Sequence, residues 1–161
     1  MKKIFLLILI LLTAAPAVIF AGSTANQSVS FQVDSISEFA ASGDPGTFSI
    51  DTAVAGSQPS EVTDTTTSYA ITTNETNKKI TAALNSAMPS NTTLKLTAAA
   101  PTGGSSQGEL TLTSSALDLV TGISNVAESG KTLTYKFSAT VVAGTISLSS
   151  KTVTLTLTDE T

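Results

Sequence analysis

The clearest pattern in the chain is a strict alternation of apolar and polar residues in its last part. Every second residue is apolar over 133–141 and again over 153–157. A period of two residues places alternate side chains on opposite faces of a β-strand, so that one face can be buried while the other stays wet. We therefore predict two long strands. We expect them to form a hairpin whose connection contains Gly144, because glycine readily adopts the positive φ of tight turns.

The same alternation appears near the start of the chain, over residues 27–33. Val29, Phe31 and Val33 share one face there, and serine and glutamine occupy the other. This pattern predicts the first strand of the domain. A second hypothesis is that the strand is donated to the sheet of a neighbouring copy, which makes Val29, Phe31 and Val33 the candidate donor side chains.

Between these two regions the chain alternates over short segments that are separated by turn residues. The predicted strands in this part are 47–51, 68–72, 79–85, 93–97 and 109–113. We expect 68–72 and 79–85 to form a hairpin. Segment 114–125 fits one helical turn or a short strand, and we favour a short strand or a turn because Thr121 and Gly122 interrupt a helix early. No segment keeps a helical period for long, so we predict an all-β, antiparallel, immunoglobulin-like Greek-key sandwich of about nine strands.

Residues 1–25 have the features of a signal peptide. A positively charged start leads into an apolar run, and small side chains follow. Cleavage after Ala25 fits best, with Ala21 as the alternative, and an uncleaved anchor is a third option because the apolar run is nearly long enough to span a bilayer. We predict that residues 26–161 form a single sandwich domain that is secreted or held at the cell surface, without membrane contact after cleavage.

The composition argues against several classes of function. The chain has 161 residues, a net charge of −4, and no cysteine, histidine or tryptophan. An acidic chain without arginine is poorly suited to gripping nucleic acid through its phosphates. The absence of cysteine and histidine argues against zinc, copper and haem sites, and export without cysteine leaves the fold to be stabilised by burial and sheet hydrogen bonds alone.

No catalytic constellation is visible in the sequence. The carboxylates are scattered, with no spacing that pairs two of them across a cleft as glycosidases require. The serines have no histidine or Ser-x-x-Lys motif to activate them. We therefore predict a protein that is not an enzyme and that binds no cofactor and no metal.

One aromatic pair suggests a structural role. Tyr135 and Phe137 follow Gly130 at the start of a long late strand. This arrangement resembles the tyrosine corner of immunoglobulin-like sandwiches, with Phe137 at the position of the second cysteine. The alternative is that Tyr135 is simply an inward-facing aromatic residue of the core.

Two families of secreted bacterial surface β-sandwich proteins resemble parts of this chain. The tail 153–159 is similar to the closing strand of WxL cell-wall-binding domains, with Leu157 and Asp159 matching and Leu155 at the tryptophan position. The layout of signal peptide, alternating first strand and threonine-rich sandwich looks like donor-strand pilin subunits. The resemblances imply a structural or adhesive surface protein that associates with itself or with other surface proteins. The alternative is a cell-wall or glycan-binding module.

Overall fold

The computed structural model describes residues 22–161. Residues 1–21, which hold most of the predicted signal peptide, lie outside the described residues. The chain divides into two units, Met1–Val33 and Asp34–Thr161. The described part of the first unit, 22–33, contains no strand or helix. The prediction that 27–33 is a strand within its own domain is therefore wrong, because an alternating pattern selects a face but does not supply a partner strand.

The second unit is all-β and consists of two antiparallel sheets, which confirms the predicted fold class at that level. Its strands are β1 (Ser37–Ala41), β2 (Val62–Thr73), β3 (Lys78–Leu84), β4 (Thr92–Ala98), β5 (Ser105–Ser106), β6 (Leu110–Thr111), β7 (Leu117–Ile123), β8 (Val126–Ala139) and β9 (Val153–Asp159). The first sheet has the order β1-β2-β8-β4-β6, and the second has the order β5-β7-β3-β9. The described part of the chain contains no helix with the length and hydropathy of a membrane span.

Neither predicted hairpin forms. β8 pairs with β2 on one side and β4 on the other, whereas β9 pairs with β3 in the opposite sheet. Both edges of β8 are occupied, so β9 cannot lie beside it, and residues 140–152 cross from one sheet to the other. β2 and β3 likewise belong to different sheets. The alternation identified the strands correctly, but it carries no information about which strands are neighbours.

Several of the predicted strands are confirmed with small shifts of their ends. Segment 79–85 becomes β3 and 93–97 becomes β4, and segment 114–125, for which a short strand or a turn was predicted, contains β7. Segment 47–51 is not a strand, although Phe48 lies half-buried against the core. The segment alternates because it is a loop that packs one of its faces against the sandwich.

The core lies between the two sheets and is made of the inward-facing positions of the central strands. The largest fully buried side chains are Tyr69, Ile71, Ile80, Leu96, Leu119, Val120, Ile123 and Leu133. The Tyr69 hydroxyl donates a hydrogen bond of 2.6 Å to the carbonyl oxygen of Ala99, so its polar end is satisfied inside the fold. With no disulfide available, this burial is the main source of stability.

The last strand, β9, is fixed firmly to β3. The two strands pair over all seven residues of β9, from Lys78 opposite Asp159 to Leu84 opposite Val153. The Lys78 ammonium nitrogen lies 2.5 Å from the carboxylate of Asp159 and 2.8 Å from that of Glu75. The hydrogen bonds to Asp159 and to Glu75 raise the pKa of Lys78, so the lysine stays charged and holds the end of β9 in place.

Candidate functional site

An open groove lies between the two sheets on the side where β9 ends the second sheet. Its cavity has a volume of about 950 Å³. We call it the β9 groove. Its lining includes side chains from the first sheet, from β9 and from the loop that carries Phe48: Leu94, Leu133, Tyr135, Phe48, Val153 and Leu155. All lining residues belong to the unit Asp34–Thr161, and most of these named side chains are apolar.

β9 presents an unused strand edge beside this groove. Among the described residues, β9 pairs only with β3. The amide of Asn85 donates to the carbonyl of Thr152, and the amide of Glu160 donates to the carbonyl of Asn77. Hydrogen-bonded and non-hydrogen-bonded residue pairs alternate along two antiparallel strands. The two bonds therefore show that the N–H and C=O groups of the even-numbered residues between them point toward β3. The N–H and C=O groups of residues 153, 155 and 157 therefore point away from β3.

The wall opposite β9 is a loop that is fastened to β2. Ser42 donates its amide to the carbonyl of Ser68 at 2.8 Å, and the Gly46 amide donates to the Asp64 carboxylate at 3.3 Å. The Asp64 carboxylate also accepts the amide of Thr66, and this bond is the main cause of its lowered pKa. The loop thus has a fixed position at the mouth of the groove.

The aromatic ring of Phe48 closes part of the groove. Its centroid lies 6.2 Å from that of Phe137 on β8, at an interplanar angle of 53°. Tilted contacts at this distance are favourable between aromatic rings. Phe48 is the residue through which the loop packs on the first sheet, so the apolar character of the groove is continuous from β8 to the loop.

One polar group inside the groove has no partner. Thr67 of β2 lines the groove and is 5% exposed, and its hydroxyl oxygen makes no hydrogen bond in the described structure. A buried hydroxyl without a partner costs about 1–3 kcal/mol. Thr67 follows an irregularity in the pairing of β2 with β8, which shifts the register between Asp64 and Thr67.

Tyr135, the predicted tyrosine-corner residue, lies in this groove. It is an inward-facing residue of β8, and burial, together with the nearby charges of Asp44 and Asp64, raises the pKa of its hydroxyl. The tyrosine-corner role stays a prediction. The tyrosine whose hydroxyl bonds a backbone carbonyl within the described residues is Tyr69.

The predicted donor side chains are exposed to solvent. Val29, Phe31 and Val33 are 80%, 93% and 79% exposed, respectively. Isolated exposed apolar residues are normal on protein surfaces, but three in strict alternation on one short segment form an apolar stripe. The segment 27–33 contains no charged residue. The segment therefore has the composition of a buried strand, although its apolar side chains are exposed to solvent.

Sequence reasoning missed the groove itself. Its apolar lining residues were assigned to the core, because alternation cannot tell an inner face that is covered from one that is open. The crossing segment 140–152 carries apolar residues, Val142 and Leu148, whose strong exposure is visible only in the structure. Ile146 and Leu148 line the groove near the start of β9.

The outer face of the first sheet carries a separate charge cluster. Lys95 and Lys136 lie directly opposite each other on β4 and β8. Glu109 lies between them, 2.8 Å from the Lys95 nitrogen and 2.7 Å from that of Lys136. The hydrogen bond from Lys136, followed by that from Lys95, lowers the pKa of Glu109 to about 2. This cluster offsets the repulsion between two facing lysines and thus has a structural role.

No cluster of three or more histidine, cysteine, aspartate or glutamate side chains is placed to hold a metal ion among residues 22–161. Comparisons with protein-family models, with curated proteins and with solved structures found no match for this chain. The groove, the β9 edge and the exposed segment are the structural features that bear on function.

Proposed function

We propose that this chain is an exported, non-catalytic structural or adhesive protein of the cell surface. The proposed sequence of events is export through the signal peptide 1–25, removal of that peptide, and self-association through residues 27–33. The product is a fibre in which copies are joined by their N-terminal segments. Association of one subunit with the next through a donated strand is a known way to extend an open sheet.

One observation carries this proposal. The same chain has an apolar alternating segment that is exposed and a two-sheet fold with a groove, lined in part by apolar side chains, beside a strand edge that no described strand pairs with. A segment with the pattern of a strand gains burial only if a sheet edge receives it. The groove and the free edge of β9 are complementary to this segment, because an open sheet edge is a template for pairing with another chain.

We also propose the finer description of the fold, an immunoglobulin-like Greek-key sandwich of about nine strands. It is supported by the two antiparallel sheets and by a strand order in which each sheet joins strands from distant parts of the chain. In such a sandwich an edge strand at the side of one sheet is a natural site for a further strand.

Assembly of the processed chain tests the proposal. Residues 26–161 are expected to elute in size-exclusion chromatography as species larger than a monomer, and negative-stain images are expected to show linear polymers. The matched control is the chain 34–161, which keeps both sheets and loses the exposed segment, and it should stay monomeric. If 26–161 is also a monodisperse monomer at high concentration, with no fibres in the images, the proposed function is wrong.

A further inference from the structure

We propose that the β9 groove of a second copy is the acceptor for residues 27–33. The donated segment pairs with the free edge of β9 and inserts Val29, Phe31 and Val33 between the two sheets. This inference rests on the proposed function, and it names the surface of the partner copy that receives the strand. It assigns a binding role to β9, whose free edge is otherwise an aggregation hazard.

The backbone of the two segments is well matched. β9 has seven residues, and 27–33 also has seven. Residues 153, 155 and 157 turn their N–H and C=O groups away from β3, which leaves them available to a strand on the other side. A strand of this length satisfies all three positions and extends the sheet β5-β7-β3-β9 by one member.

The side chains of the donated segment match the groove. When the segment lies beside β9 with its apolar face inward, Val29, Phe31 and Val33 share the inner face with Leu155. No charged residue of the segment is buried, so the large penalty for an unpaired charge does not arise.

The unpartnered hydroxyl of Thr67 favours a peptide over a hydrocarbon ligand as the occupant. Thr67 is 5% exposed and lines the groove, and it needs a donor or an acceptor that no described residue supplies. A donated strand brings backbone amides and carbonyls to the groove, whereas the hydroxyls of Ser28 and Ser30 face the solvent on its other side. A purely apolar molecule would fill the volume and leave this hydroxyl unsatisfied.

The start of the folded unit favours a second copy over insertion of the segment into its own groove. The side chain of Asn74, which follows β2, accepts the amide of Ile36 and donates to the carbonyl of Asp34, both at 2.8 Å. Its own amide donates to the carbonyl of Ile36. These bonds continue the pairing of β1 with β2 and hold 34–36 extended at the end of the sheet away from Leu94 and Phe48. Insertion into its own groove would require the chain to reverse at these residues.

The chain contains no cysteine, so engineered cysteines give a clean test. One preparation of the chain 26–161 carries Ser30→Cys, and a second carries Thr154→Cys or Thr156→Cys on the outer face of β9. Facing residues on neighbouring strands lie about 4.5–5.5 Å apart between Cα atoms, which is within disulfide reach. The control partner is Ser105→Cys on β5, at the opposite edge of the same sheet. The two preparations are mixed unfolded, refolded together, oxidised mildly and separated on non-reducing gels.

We expect a disulfide-linked dimer with at least one of the β9 variants, in at least tenfold excess over the Ser105→Cys control. Because each chain has a single cysteine, insertion within one chain cannot produce the band. Polymers that form without a β9 cross-link, or with equal cross-linking to β5, would overturn this inference and leave the proposed function standing. If no polymer and no cross-link form in any mixture, both the inference and the proposed function are wrong.

Discussion

Phe31→Asp is expected to abolish polymer formation and to leave the folded unit unchanged. Phe31 is 93% exposed, so the substitution removes no packing from the subunit itself. In the assembled state the aspartate would lie between the two sheets with no cation to pair with it. Removing one partner of a buried charge pair also leaves an uncompensated buried charge, and it costs about 3–5 kcal/mol. A penalty of this size weakens association about a thousandfold.

Two further variants separate the effect of burial from that of charge alone. Ser30→Asp adds the same charge to the opposite face of the segment, where it stays in water, and this variant should still assemble. Phe31→Leu keeps an apolar side chain and should also assemble. The readouts are the pelleted fraction on ultracentrifugation and the urea midpoint of the non-assembling variant. Normal assembly of Phe31→Asp would refute strand donation, and a large fall in its urea midpoint would place the segment in its own sheet.

Leu119→Ala is expected to destabilise the core strongly. Leu119 lies on β7, is fully buried, and belongs to the central cluster between the sheets. Removing its branched side chain leaves a cavity and should lower the free energy of unfolding by about 2–5 kcal/mol. That is a large fraction of the total of about 5–15 kcal/mol that is usual for a domain.

Urea denaturation measures this loss, with the dependence on urea concentration expected to remain unchanged. The control is Val142→Ala, which removes an exposed apolar side chain and should change the free energy of unfolding by less than about 0.5 kcal/mol. If the two variants are equally stable, the core does not lie where the buried cluster places it.

The sequence was sufficient to predict several of the strands but not their partners. The alternation in β3 and β4 predicted both strands to within a residue or so, because period 2 is a local property that the backbone enforces. The partner of β9 was not predictable in the same way. It depends on β8 having both edges occupied by β2 and β4, which is a non-local outcome of packing.

The candidate site, too, could be predicted from the sequence only in part. Val29, Phe31 and Val33 were identified from their pattern, and all three are exposed in the structure, which is why we propose a role for them outside the core of their own domain. The groove could not be predicted, because Tyr135 and Leu155 look like ordinary core residues in the sequence. Only the arrangement of the sheets shows that the space in front of them is open.

Hydrogen exchange at β9 tests the central claim most directly. In the monomeric chain 34–161, the amides of 153, 155 and 157 face away from β3 and should exchange quickly, whereas those of 154, 156 and 158 should be protected. In polymers of the chain 26–161, all six amides should be protected, since the donated strand binds the outer three. If the outer three exchange as quickly in the polymer as in the monomer, the copies are not joined at β9.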